Sequence, residues 1–114
     1  MRVQLSLYNG AASVTYYYAP LIPCYLKGAN WVVNATQSAG NKTVVIALSG
    51  GSTICSGTAV TAGTAVEGTM TTTEAYLKQV ISKTTPLTIA VDFASGSAAT
   101  LCVDLDFDEF KATV

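Results

Sequence analysis

Histidine is missing from the chain altogether. Its absence removes the commonest general base and the commonest metal ligand together, so any catalysis would have to run on Asp, Glu, Lys, Tyr, Cys or Ser alone. Charge is scarce too: Asp, Glu, Lys and Arg make up 11% of the residues and the net charge is −1. The six Lys and Arg are scattered from Arg2 to Lys111, which leaves no basic patch to neutralise phosphates and makes nucleic acid an unexpected partner. Apolar residues come in short runs broken by Gly, Ser, Thr and Asn. None approaches the roughly 18 that a membrane helix requires, and no membrane contact is expected. The opening MRVQLSLYNG alternates apolar with polar residues and has no unbroken apolar core of a signal peptide. The expectation is a protein made and kept in a cytoplasm, or carried out as part of something larger.

Cysteine is sparse and odd in number: Cys24, Cys55 and Cys102 show no metal-ligand or redox spacing. They read as buried thiols acting as small hydrophobes, with one disulfide plus a spare thiol as the lesser alternative. No cofactor and no enzymatic activity are expected.

What the chain does have is apolar residues in alternation. Half of its 114 residues are apolar and the mean hydropathy is +0.41. That length suits one domain, 1–114, with a real core. A freely soluble monomer commonly has a surface about a quarter to a third charged, so part of this one is expected to be buried against other chains.

The alternation predicts strands throughout. PLTIAVDF puts Leu87, Ile89, Val91 and Phe93 on one face, and TLCVDLDF does the same with Leu101, Val103, Leu105 and Phe107. With ASGSA between them, residues 86–93 and 99–107 read as an antiparallel hairpin. RVQLSLY carries Val3, Leu5 and Leu7 on one face and SVTYYYA carries Val14, Tyr16 and Tyr18, with Asn9-Gly10 as a tight turn between the two strands. A short extended piece at CYL, a turn at KGAN, the strand WVVNAT, a turn at SAGN, the strand KTVVIAL and a turn at SGGS complete the upstream half.

GTAVTAGTAVEGT, from Gly57 to Thr69, holds Gly-Thr-Ala-Val twice. It has neither the low hydrophobicity nor the high charge of a disordered linker, and is too short for a repeat architecture. It reads as two strands, roughly 53–60 and 64–71, joined near Ala62-Gly63, with glycines at turns or bulges. Only TTTEAYLKQVIS departs from alternation. Thr71 and Glu74 stand at capping-box spacing, which leaves a short helix or a loop near 72–82. The expected fold is all-β: an antiparallel β-sandwich or jelly-roll-like module.

Chemical constellations are few. Asp104 and Asp106 share a strand face, an arrangement that could hold a hard cation such as calcium, but the chain lacks the Gly and distant Glu of an EF-hand loop. The stretch reads as a solvated, charged strand end that discourages edge pairing. Ser49-Gly50-Gly51-Ser52 has no following Lys and reads as a hairpin turn, not a phosphate loop. Tyr16, Tyr17, Tyr18, Leu21, Ile22, Tyr25 and Trp31 concentrate aromatic and apolar area in one stretch, more than one strand face buries in a small sandwich. They are the candidate interface, expected to make subunit contacts. A sugar-stacking platform built on Tyr16, Tyr17, Tyr18 and Trp31 is the alternative.

The order of YYYAPLIPCYLKGANWVV, KTVVIALSGGSTI, VTAGTAVEGTM and PLTIAVDFASGSAATLCVDLDF resembles small bacteriophage virion proteins of the capsid decoration, or cement, type. The likeness runs from about Tyr16 to Phe107. It implies a β-sandwich on the outside of a phage particle, with the virion as its location and the major capsid protein or other virion subunits as partners. A homo-oligomer, such as a trimer, is expected. The segment TTTEAYLKQVISKTT departs from the pattern, which often has a short Gly-Asp turn there. A carbohydrate- or host-receptor-binding module of a virion or tail is the competing reading.

Overall fold

A computed structural model describes residues 1–9, 13–37, 43–58, 62–71, 80–93 and 98–109. These residues form an all-β protein of two antiparallel sheets packed face to face, a β-sandwich. Its strands are β1 (Arg2–Asn9), β2 (Ser13–Tyr18), β3 (Cys24–Val33), β4 (Thr43–Leu48), β5 (Thr53–Thr58), β6 (Val66–Glu67), β7 (Thr69–Met70), β8 (Leu87–Asp92) and β9 (Ala99–Glu109). One sheet runs β1-β9-β3-β6 and the other β2-β8-β4-β5-β7.

The inward faces are those that the alternation predicts. Leu87, Ile89, Val91 and Phe93 are buried, as are Leu101, Val103, Leu105 and Phe107, while Val3, Leu5 and Leu7 pack half-buried against them. Pairing follows a different rule from the one expected. β8 and β9 do not form a hairpin, because β8 joins β2 and β4 whereas β9 joins β1 and β3. Likewise β1 and β2 lie in opposite sheets. In both pairs the chain crosses the core between one strand and the next, so their apolar faces meet each other across it and not side by side. β4 and β5 do make the expected hairpin. There Gly51 N–H donates to the Leu48 carbonyl at 2.9 Å and Gly50 takes φ of 73°, the left-handed conformation that favours glycine.

KGAN is no turn. β3 runs through it for ten residues, and the register against β9 slips between Leu26 and Gly28. The bulge at Lys27 absorbs one residue, so that Cys24 and Leu26 before it and Ala29, Trp31 and Val33 after it all face inward. The expected turns at Asn9-Gly10, SAGN and ASGSA fall wholly or largely outside the described residues, as does most of the segment 72–82. At the end of that segment Ile81 is extended, exchanging backbone hydrogen bonds with Cys24 at 3.1 and 2.8 Å.

The repeated GTAV stretch resolves around Trp31. Its indole is buried, and Nε1–H crosses from one sheet to donate to the Thr58 carbonyl at the end of β5 in the other, at 2.9 Å. Gly57 and Gly68 lie against the ring: a Cβ on Gly57 would come within 2.8 Å of Trp31 Cζ2, and one on Gly68 within 2.9 Å of Cη2 while overlapping Cys55 Sγ. A turn does sit at Ala62-Gly63, where Gly63 has φ of 76° and donates to the Val33 carbonyl. The second expected strand, however, divides at Gly68, with β6 pairing β3 and β7 pairing β5. Two of these glycines therefore provide room for an indole, a role distinct from turning the chain.

Gly68→Ala is expected to destabilise the fold by about 1–3 kcal/mol through overpacking, a fall of several degrees in melting temperature. Thermal denaturation of Gly68→Ala, Cys55→Ala and the double variant checks the cause. Removing Sγ relieves part of the clash, so the double variant loses less stability than the two single losses combined. Strict additivity would show that the close approach does not limit packing.

Candidate interaction surface

The triple tyrosine of β2 divides by strand alternation. Tyr16 and Tyr18 turn toward the core and are half-buried, whereas Tyr17 points outward and is 68% exposed. The Tyr18 ring stacks on Phe107 with centroids 5.6 Å apart and planes 20° from parallel. Burial, reinforced by the neighbouring Cys24 thiol, pushes its phenol pKa up. The Tyr16 hydroxyl donates to the Tyr8 carbonyl of β1, tying the edge strands of the two sheets together.

Between β2 and β3 the chain crosses from one sheet to the other through Ala19-Pro20-Leu21-Ile22-Pro23. Pro20 is buried and anchors the crossing, while Leu21 is fully exposed and Ile22 45% exposed. Two prolines fix φ within this short connection and limit how far it can fold its apolar side chains away. Tyr25 follows on β3, half-buried and alternating with the inward Cys24 and Leu26. It projects from the outer face of the other sheet, beside Asp108 on β9.

Of the seven expected interface residues, Tyr17, Leu21 and Ile22 present substantial apolar surface. Trp31 does not, because at 1% exposure it belongs to the core. This also corrects the sugar-stacking alternative: with Trp31 buried and Tyr16 and Tyr18 turned inward, the proposed aromatic platform is not assembled.

Asp104 and Asp106 belong to a second surface feature. On the outer face of the β1-β9-β3-β6 sheet, Arg2, Lys27, Gly28, Asn30, Glu67, Asp104 and Asp106 help to line an open cleft of about 410 Å³. Arg2 Nη1 lies 3.5 Å from Asp104 Oδ2, and Asp104 Oδ1 is buried without a hydrogen-bond partner. Lys27 Nζ is 3.7 Å from Asp108. Pairs as exposed as these contribute little to stability. Among the described residues no three His, Cys, Asp or Glu side chains are grouped to hold a metal ion. The carboxylates of Asp104 and Asp106 do not guard an edge either, since β9 lies between β1 and β3. Alternation shows that Arg2 and Asp104 face outward, but only the pairing of β1 with β9 brings them together.

All three thiols are free. Cys24 and Cys55 are buried as expected, but Cys102 is exposed, because it alternates with the inward Leu101 and Val103. Burial, aided by the charge of Glu67, raises the Cys55 pKa from about 9 to about 11. Burial raises that of Cys24 as well.

Comparison with protein-family models, curated proteins and solved structures finds no match to this chain. Among the described residues no helix is long and apolar enough to cross a membrane.

Three outcomes follow from the thiols. Native protein treated with a chromogenic disulfide reagent at pH 8 should release one equivalent promptly, from Cys102, and all three on denaturation. Reducing agent should leave the melting temperature unchanged. Between about pH 9 and 11 the Cys55 thiol is ionised when unfolded and neutral when folded, so unfolding releases a proton. Stability is therefore full below about pH 9 and falls as the pH rises through 11. Melting curves across this range should show the fall, with a shallower slope in Cys55→Ala.

Proposed function

We propose that this protein is a structural subunit of a bacteriophage virion, a capsid decoration protein that binds the assembled head and stabilises it without catalysis. The observation that carries the interaction role is the exposure of Tyr17, Leu21 and Ile22, three large side chains that follow closely along the chain. Leu21 is fully exposed on a connection anchored by the buried Pro20 and followed by Pro23. An apolar side chain presented in this way gains by burial in a partner's pocket, and the prolines reduce the ordering entropy lost on binding. The virion assignment rests on the resemblance of sequence pattern, with which a β-sandwich agrees.

The mechanism is mass action. A module that binds the assembled shell and not its separated subunits stabilises the shell by the free energy of binding. Contacts that bridge neighbouring copies of the major capsid protein add the gain of multivalency. The buried Trp31 and the inward Tyr16 and Tyr18 give the carbohydrate-binding alternative less support than the contact role.

The test measures occupancy on purified phage heads, as the ratio of this protein to the main shell protein, for wild type, Tyr17→Ser and Leu21→Ser. Both side chains are exposed, so melting temperatures should stay within about a degree of wild type. Loss of an interface anchor worth about 2 kcal/mol should weaken binding roughly thirtyfold. Full occupancy with both variants would remove the contact from this surface. Failure of the wild-type protein to bind heads at all would remove the virion role.

A further inference from the structure

We propose that β1 is a homodimerisation edge, pairing antiparallel with β1 of a second copy about a two-fold axis through Leu5, so that the β1-β9-β3-β6 sheets of two molecules become one. This goes beyond the virion role and does not depend on which particle, if any, the protein joins.

The backbone direction of β1 follows from its first rung. Met1 and Phe107 exchange both hydrogen bonds, with the terminal nitrogen donating to the Phe107 carbonyl at 3.0 Å and Phe107 N–H donating to the Met1 carbonyl at 2.8 Å. In an antiparallel ladder such pairs alternate with pairs that point away. With the register Val3↔Leu105, Leu5↔Val103 and Leu7↔Leu101, these residues bond to β9, and Arg2, Gln4, Ser6 and Tyr8 direct their N–H and C=O groups outward. The Tyr8 carbonyl receives the Tyr16 hydroxyl, and its second lone pair stays available. The same reasoning on β2 leaves only Ser13, Thr15 and Tyr17 pointing outward, while the edge strands β6 and β7 have two residues each. Among the described edges β1 is the longest.

β1 also carries few of the devices that keep an edge unpaired. It pairs with β9 from Arg2 to Asn9 without a bulge, contains no proline and no lysine, and has Arg2 as its one charged side chain. Its inward Val3, Leu5 and Leu7 are left half-buried at the margin of the core.

The sequence of β1 is complementary to itself in one register. With Leu5 opposite Leu5 of the second copy, Val3 meets Leu7, Gln4 meets Ser6 and Arg2 meets Tyr8. Every outward-pointing group from Arg2 to Tyr8 then finds a partner. The inner face brings together Val3, Leu5 and Leu7 of both copies, directly opposite each other where strands approach most closely. On the outer face each guanidinium lies across from a Tyr8 ring, which is 66% exposed in the single chain, an arrangement suited to cation–π attraction. The register places no like charges opposite one another. Shifting it by two residues in either direction leaves outward groups at one end unpaired. An isologous contact of this kind closes at two copies, which makes a dimer, in place of the trimer expected from the apolar, weakly charged composition, the species in solution.

Sedimentation equilibrium on the isolated full chain provides the test, with no particle present. Wild type should fit a monomer–dimer equilibrium. Gln4→Lys/Ser6→Lys opposes lysines across the two-fold on an exposed face, leaving the core and the β9 ladder intact, and should weaken the dimer by about tenfold or more. Gln4→Lys/Ser6→Glu places opposite charges across the same pairs and should restore dimerisation to the wild-type level or above. Circular dichroism confirms that both variants are folded. A wild-type monomer, a trimer, or equal dimerisation by the two double variants would overturn the proposal; the last would place any self-contact on another surface.

Discussion

The placement of Trp31 between Gly57 and Gly68 is the constraint on which the rest of the sandwich depends. The indole belongs to β3 in one sheet, donates to the Thr58 carbonyl of the other, and fills the corner where the chain passes from β6 to β7. Gly68 N–H donates to the Ala29 carbonyl at 2.8 Å, and beyond it Met70 pairs with Cys55. A short stretch is thereby bound to both sheets at once. A Cβ at Gly57 or Gly68 would crowd the indole, and at Gly68 the Cys55 thiol as well, so that the packing there would have to shift. Close packing, more than strand pairing, closes this side of the molecule.

Closure there has a consequence at the opposite side. The orders β1-β9-β3-β6 and β2-β8-β4-β5-β7 place β1 and β2 at the edges away from the Trp31 corner. At that margin the sheets meet through the Tyr16 hydroxyl on the Tyr8 carbonyl and the Tyr18 ring stacked on Phe107. Val3, Leu5, Leu7, Tyr16 and Tyr18 are correspondingly only partly buried. The apolar excess that distinguishes the composition is thus concentrated along one side and in the adjoining Leu21-Ile22 connection, where a neighbouring chain can cover it.

The faces of the strands were legible in the sequence and their neighbours were not. Alternation specifies which side chains point inward, and it placed Leu87 to Phe93, Leu101 to Phe107 and Val3 to Leu7 correctly. It carries no information on whether the next strand lies beside the first or across the core from it, because both arrangements bring two apolar faces together. That ambiguity explains why β1 with β2 and β8 with β9 read as hairpins. The KGAN bulge was hidden for a related reason, since inserting one residue resets the alternation and resembles a break. Gly57 and Gly68 were read as turn or bulge residues because a sequence records the missing side chain but not the ring that occupies its place. Cys102 was misplaced by residue type, although its own strand alternation pointed outward.

The candidate surface shows the same division between composition and geometry. Tyr16, Tyr17 and Tyr18 are chemically identical, yet one ties two edges together, one faces solvent and one stacks on Phe107. Their positions within an edge strand impose these roles, and the consequence reaches β1. The hydroxyl of Tyr16 binds β1 at Tyr8, near its C-terminal end, leaving the outward groups of Arg2, Gln4 and Ser6 uncovered by β2. A tyrosine cluster that looks like a single adhesive patch in the sequence therefore acts in two ways. Its inward members pack between the sheets, Tyr16 on β1 at Tyr8 and Tyr18 on Phe107 of β9, and its outward member, Tyr17, is exposed, as are Leu21 and Ile22 in the connection that follows. The proposed self-pairing along β1 and the proposed docking through Tyr17 and Leu21 would use different atoms, so neither contact would exclude the other.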